Sequence, residues 1–223
     1  MKKQITLTIL ALSVVLGASQ FSRAQILIDD FSTGAYKSPE FKTGVHTSGQ
    51  NGSMLGLNRS TGFSICKAQT CATVNPYKQA MSYAFLPTTT AAPAAMIQSV
   101  GYGAAPRIDM GYGFGAPMDQ DFSSTDRIQI NFRGLSQYLN FNLQVFTGTS
   151  WGQNGCNLPP STVPFTVELP YTGFTGPGFD KNHVNFLNFI FQDGSPIGGV
   201  NFAIASIRAV NGGAPGAIVC HLN

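Results

Sequence analysis

Apolar and polar residues alternate along several stretches of this chain, and a period of two marks β-strands with one buried face. Ile108, Met110, Tyr112 and Phe114 alternate with Asp109, Gly111 and Gly113. Gln129 and Asn131 separate Ile128, Ile130 and Phe132. The cleanest run sets Leu139, Phe141, Leu143 and Val145 against Asn140, Asn142 and Gln144. Val163, Phe165, Val167 and Leu169 form another, in which Pro164 cannot donate to a ladder and so places the strand at an edge or a bulge. Met81, Tyr83 and Phe85 make a shorter strand, and 25–31, 188–192 and 200–210 fit strands with less regular patterning. No stretch keeps a 3.6-residue period for three turns; residues 181–187 offer one helical turn at most, with Asp180 as its cap. Residues 88–95 are a low-complexity loop. Short strands punctuated by 25 Gly and 13 Pro predict an all-β sandwich or barrel.

The first 24 residues change the charge picture. Lys2 and Lys3, an apolar run from Ile5 to Gly17 and Ser22-Arg23-Ala24 have the order of a secretory signal peptide cleaved after Ala24. Its removal takes Lys2, Lys3 and Arg23, so the formal +3 charge falls to a balance of ten basic and ten acidic residues. A neutral mature chain lacks the cationic surplus that nucleic-acid binding needs, and no nucleic-acid partner is expected. Charged residues are only 10% of the sequence, yet 43% is hydrophobic and 17 residues are Phe, which predicts a packed core dressed with uncharged polar groups. No later apolar run reaches the roughly 18 residues of a membrane helix, and no lipid-anchor cysteine follows the leader. The expectation is a secreted chain, extracellular or periplasmic, with residues 25–210 as one domain and 211–223 as a tail.

Cys66, Cys71, Cys156 and Cys220 suit an oxidising compartment and admit three pairings. Pairing Cys66 with Cys71 would staple a local loop, and pairing Cys156 with Cys220 would tie the Gly/Pro-rich tail back to the body. The alternative is metal binding, for which C-x4-C without a nearby His is a poor zinc pattern.

The order of pieces resembles the galactose-binding-like jelly rolls, which include carbohydrate-binding modules and the complex I intermediate-associated protein family. Ile28-Asp29-Asp30-Phe31 is similar to that group's opening strand. Residues 126–130 lead into Phe141–Val145, and Phe165–Tyr171 with Phe174 looks like its strand-and-turn motif. Residues 184–191 and 202–207 resemble its last two strands. The resemblance spans most of residues 26–210 and implies an antiparallel β-sandwich of jelly-roll type. It also makes Asp30 a candidate ligand for structural calcium, against the alternative of a capped turn after the first strand. The group commonly carries an acidic residue before the last Ile, where this chain has Ala205-Ser206-Ile207.

Catalytic patterns are missing from the sequence. Glycoside hydrolysis needs two opposed carboxyls, but Glu40 and Glu168 are the only Glu, the Asp residues are scattered, and Glu168 alternates outward toward solvent. His46, His183 and His221 share no metal-binding spacing, and the Ser-x-x-Lys match at Ser64–Lys67 is short enough to arise by chance. No enzyme and no obligatory cofactor is expected.

Sugar recognition asks for an aromatic face beside hydrogen-bonding amides. Trp151, the only Trp, is predicted in a loop over 149–157 with Gln153, Asn154 and Asn157 as polar partners. That Trp is either a ligand platform or a lid over the end of the core. Tyr102 is open to either role, whereas Tyr112 and Phe114 share the face of Ile108 and default to core. The leading expectation is a non-catalytic binding domain for an extracellular glycan. The alternative is a structural or adhesive protein contacting an envelope component. Nothing in the sequence fixes the oligomeric state.

Overall fold

The alternating stretches become two stacked sheets. A computed structural model describes residues 24–42, 44–65, 81–101, 104–195 and 198–221. Residues 1–23 of the expected leader, Cys66, Cys71 and Tyr102 lie outside the described residues. The strands are β1 (Gln25–Asp29), β2 (Tyr36–Lys37), β3 (Val45–Asn51), β4 (Asn58–Ile65), β5 (Met81–Leu86), β6 (Ala95–Val100) and β7 (Pro106–Tyr112). They continue as β8 (Arg127–Leu135), β9 (Leu139–Thr147), β10 (Ser150–Leu158), β11 (Phe165–Pro170), β12 (Phe186–Asp193), β13 (Phe202–Val210) and β14 (Ile218–Val219). One sheet runs β14-β11-β8-β13-β6-β5-β2, with β1 also on β13; the other runs β10-β9-β12-β7-β4-β3. Apart from the parallel β11–β14 contact, the strand pairs among the described residues are antiparallel. From β10 to β13 successive strands alternate between the two sheets, the wrapping of a jelly roll.

Inward positions close the core. Ile108, Met110 and Tyr112 of β7, Leu139 to Val145 at every second residue of β9, and Phe189 and Phe191 of β12 are buried. Each such side chain contributes about 1.5–3 kcal/mol by leaving water. The two open flanks are joined differently. The Cys156–Cys220 disulfide links β10, the last strand of the six-stranded sheet, to the tail beside β14, the last strand of the other. On the opposite flank the Tyr36 hydroxyl on β2 hydrogen-bonds His46 Nε2 on β3.

Three expectations change. Residues 181–187 are not helical: the Asn182 N–H donates to Asp180 in a turn, Val184 bridges Gln120, and β12 has begun by Phe186. β11 starts only after Pro164, next to the two-residue edge strand β14, which is the placement a missing donor requires. Glu168 is not solvated. The tail folds over it, leaving it 1% exposed, and its carboxylate accepts from Arg127 Nη1 (2.7 Å), Gln129 Nε2 (2.8 Å) and the Ala214 N–H.

Two carboxyls then set opposing pH dependences. Burial alone would raise the Glu168 pKa, but the bonds from Ala214, Arg127 and Gln129 outweigh it and hold the group below its ordinary value. Its contribution is present above the unfolded value and is lost as pH falls through the folded one. Asp193, at the end of β12, is pushed up to about 6 by burial. Its ionisation therefore costs the fold, and relief comes as pH falls through that value. Thermal melts should show stability rising from pH 7 to pH 5 by on the order of 1 kcal/mol, after allowing for solvent screening. Below about pH 4 it should fall. Asp193→Asn should reduce the rise and spare the acid-side loss; a rise undiminished in that variant assigns it to Asp29, whose pKa burial also raises.

Candidate functional site

The outer face of the six-stranded sheet gathers rings, amides and hydroxyls into rows. Directly opposed residues of antiparallel strands share a face, so the pairing registers write each row across the strands. In the first row Trp151 of β10 stands opposite Phe146 of β9, and Phe146 opposite Phe186 of β12. Phe114, just beyond β7, packs on Phe186 with ring centroids 5.6 Å apart, and Phe186 lies 6.4 Å from Phe146. The second row is Gln153, Gln144, Asn188, Gly111, Ser60 and Gly49. The third is Gly155, Asn142, Ile190, Asp109, Gly62 and Thr47, and the fourth Asn157, Asn140, Gln192, Arg107, Ser64 and Val45.

Small residues hollow out one half of this face. Gly49, Ser60, Gly62 and Gly111 floor an open groove of about 800 Å³, with Phe114, Asn188, Arg107 and Asp109 among its walls. Phe114 reaches this place because of two glycines. Gly113 takes φ +87°, which turns the chain out of β7, and Gly111 has no Cβ to collide with the returning ring. Phe114 is therefore 54% exposed on the groove instead of joining the core beside Ile108 as its alternation suggested.

Charge on the face is self-contained. Arg107 Nε and Nη2 donate to Asp109 Oδ2 (2.8 Å) and Oδ1 (2.7 Å), a two-pronged pair two residues apart on β7. The Asp109 hydrogen bonds raise the Arg107 pKa above its ordinary value. No other strand position of this face carries a charged side chain. The amides are tied sideways, Asn140 Nδ2 to Asn157 Oδ1 (3.0 Å) and Asn188 Nδ2 to Gln144 Oε1 (3.3 Å), which fixes their orientation and leaves further polar atoms pointing outward. Asn142 Oδ1 is buried without a partner among the described residues.

Beneath the groove lies a buried ionic cluster. Arg59 of β4 and Tyr112 of β7 face inward, back to back with Ser60 and Gly111. Arg59 Nη1 pairs with Asp29 Oδ2, and Nη2 donates to the Gly34 carbonyl at 2.8 Å. The Tyr112 hydroxyl donates to the same Asp29 oxygen at 2.8 Å. Burial first, and the Asp29 charge after it, push the Tyr112 phenol well above its ordinary pKa, so it stays a donor.

The expected site residues divide. Trp151, Gln153 and Asn157 lie together on this face, but on the strand β10 and not in a loop, because the register with β9 runs unbroken from Ser150 to Leu158. Asn154 does not join them. It points to the opposite side of β10, is fully buried, and donates to the Pro170 carbonyl at 3.3 Å. Asp30 accepts from the Ser32 N–H (3.0 Å) and hydroxyl (2.6 Å), the capped turn that was the alternative to a calcium site. Among the described residues no three His, Cys, Asp or Glu side chains cluster as metal ligands. Phe114, Phe186, Phe146, Asn188, Arg107 and Asp109 were not singled out as site residues. The signal that could have found them was the identity of the polar partners in each alternating strand: amides and glycines where a merely solvated face carries charges.

No family model and no curated protein matches this sequence. Among solved structures, it is similar to a family 11 carbohydrate-binding module from Clostridium thermocellum in complex with a β-1,3-1,4-mixed-linked tetrasaccharide. The identity is 13%, over 87% of this chain and 97% of that one, with a TM-score of 0.41. The family 11 module of the cellulosomal cellulase Lic26A-Cel5E from the same organism gives 14%, 85%, 95% and 0.41. An agarase gives 8% identity over 85% of this chain and 25% of its own, with a TM-score of 0.39. Likeness of this degree is too low to carry a residue or a ligand across.

Proposed function

We propose that the chain is a secreted, non-catalytic carbohydrate-binding domain whose site is the outer face of the six-stranded sheet. One observation carries this: the strand registers set an aromatic row, Trp151, Phe146, Phe186 and Phe114, directly beside a row of amides, Gln153, Gln144 and Asn188. Rings bury the C–H faces of a pyranose while amides satisfy its hydroxyls. Binding is favoured over cleavage because the strand positions of the face offer one carboxylate, Asp109, already clamped by Arg107. A hydrolase needs a second across the scissile bond. The leader-like start and the Cys156–Cys220 bridge support secretion. Among the described residues no helix is long and apolar enough to cross a membrane.

Affinity electrophoresis against a panel of soluble polysaccharides tests this. At least one should retard the protein, and Phe114→Ala should weaken that interaction about tenfold while leaving the melting temperature within a few degrees, since the ring is exposed. A panel with no retardation, or retardation indifferent to Phe114→Ala and Asn188→Ala, overturns the proposal. Self-association in place of glycan binding would favour a structural or adhesive role.

A further inference from the structure

The other sheet carries a second binding site, and we propose that it takes an organic monocarboxylate with a flat apolar body. It lies on the outer face of the eight-stranded sheet, away from the site described above. Its floor comes from small residues in register. Ala203 of β13 sits between Phe202 and Ile204, both buried in the core, and so faces outward. It stands opposite Gly134 of β8 on one side and Ile97 of β6 on the other. Ser161 borders Gly134 on the far side, where it bridges Leu135. Gly134 and Ala203 carry no side chain beyond a methyl group, and an open hollow of about 550 Å³ remains above them. That size is within the range of small-molecule sites.

A β-bulge places the cation. Phe132 pairs with Ile204 and Gly134 pairs with Ala203, so Arg133 is the extra residue of β8 between them. A bulge re-aims the side chain it carries. Arg133 Nη2 donates to the carbonyl of Ala94, just before β6, which draws the guanidinium across β13 to the border of the hollow. It is the one charged side chain lining that space.

The missing counter-ion points to a ligand. Arg59, Arg107 and Arg127 each pair with a carboxylate. Arg133 pairs with none among the described residues, and these include every Asp and Glu of the chain. Its bond to Ala94 occupies one of the five N–H donors of a guanidinium. The Ser99 and Thr162 hydroxyls, which also line the hollow, hydrogen-bond no described residue.

These features set the ligand class. Free guanidinium donors match the two oxygens of a carboxylate. A lone cation balances one negative charge, whereas a phosphate dianion would keep a second charge uncompensated. The Gly134–Ala203 floor and the Ile97 wall give a flat ring apolar contact without moving a side chain, and the two hydroxyls can take further polar groups on it.

Amide chemical-shift titration of the labelled protein with benzoate, benzamide, benzenesulfonate and acetate tests this. Benzoate should shift the Gly134, Ala203 and Thr162 amides together. It should bind at least about tenfold more tightly than benzamide, because only the acid makes a charge-assisted pair. Acetate, with no ring to bury, should bind at least about fivefold more weakly, and benzenesulfonate should also be weaker. Arg133→Met, which keeps most of the stem, should weaken benzoate at least about tenfold. Arg133 also ties β8 to Ala94, so Ala203→Leu serves as a second variant. It fills the floor without touching the guanidinium, and should weaken benzoate at least about fivefold while the melting temperature stays within a few degrees. No shift up to about 20 mM benzoate, or shifts confined to the six-stranded sheet, would overturn the proposal. So would benzamide, acetate or benzenesulfonate binding as tightly as benzoate, or benzoate binding that Ala203→Leu leaves intact. None of these outcomes bears on the glycan reading, which concerns the opposite face.

Discussion

Arg59→Ala should lower the unfolding free energy by about 3–5 kcal/mol, the largest loss expected from a single side chain in this protein. The guanidinium is fully buried and is the hub of the packing between β1, β4 and β7. It pairs with Asp29, reaches the Gly34 carbonyl and Gln50 Oε1 (3.3 Å), and lies 3.6 Å from the centre of the Phe85 ring. Truncation removes the ring contact and, more damagingly, strands the Asp29 carboxylate at 2% exposure with only the Phe31 N–H (2.7 Å) and the Tyr112 hydroxyl as donors. Burial already outweighs these partners and holds the Asp29 pKa above its ordinary value, so the site has little tolerance for losing its cation. Urea titration should show the loss as a shifted midpoint with an unchanged slope. In a chain of this size the melting temperature should fall by roughly 10 °C or more, at 2–4 °C per kcal/mol. Pairing Arg59→Met with Asp29→Leu, which removes both charges, should recover part of the loss. A single variant within about 1 kcal/mol of the parent, or a double variant worse than the sum of the singles, would show that the ion pair is not what holds these strands.

The same cluster shows why some of the fold could be seen in the sequence and some could not. β7 and β9 announced themselves because water lies on one side of each and core on the other, so apolar and polar residues alternate. β3 and β10 did not. Val45–Asn51 and Ser150–Leu158 are rich in Gly, Ser, Asn and Gln, with too few apolar side chains for alternation to show. Their place is fixed by neighbours: β4 holds β3, and β9 with the disulfide holds β10. Tertiary context also decided Glu168 and Arg59, polar residues whose burial depends on partners 46 and 30 positions away that no local pattern reveals. For the candidate site, the sequence shows Trp151, Gln153 and Asn157 as an aromatic beside amides, but not that Asn154 turns inward, because a loop has no inside and outside while a strand does. Phe114 was misplaced for the converse reason. Its alternation with Tyr112 pointed inward, but the turn at Gly113 broke the period one residue before it.

Removing the Cys156–Cys220 bridge should cost about 4 kcal/mol, because it closes a loop of 64 residues and releases that much chain entropy to the unfolded state. The paired variant Cys156→Ala/Cys220→Ala avoids a stray thiol and should melt roughly 8–16 °C below the parent, and a dithiol reductant should bring the parent toward the same value. Position gives the loss a functional edge. Cys156 lies on β10 between Gly155 and Asn157, in the strand that also carries Trp151 and Gln153. The bridge anchors that terminal strand to the tail, which in turn covers Glu168 on the other sheet. Without it, β10 keeps its ladder to β9 and the Gln153–Thr175 bridge, so the fold survives at room temperature while the end of the aromatic row loosens. Trp151, the only Trp in the chain, reports this directly. Its fluorescence should become more accessible to acrylamide in the paired variant. A variant that melts within about 3 °C of the parent would leave the bridge without a role in stability.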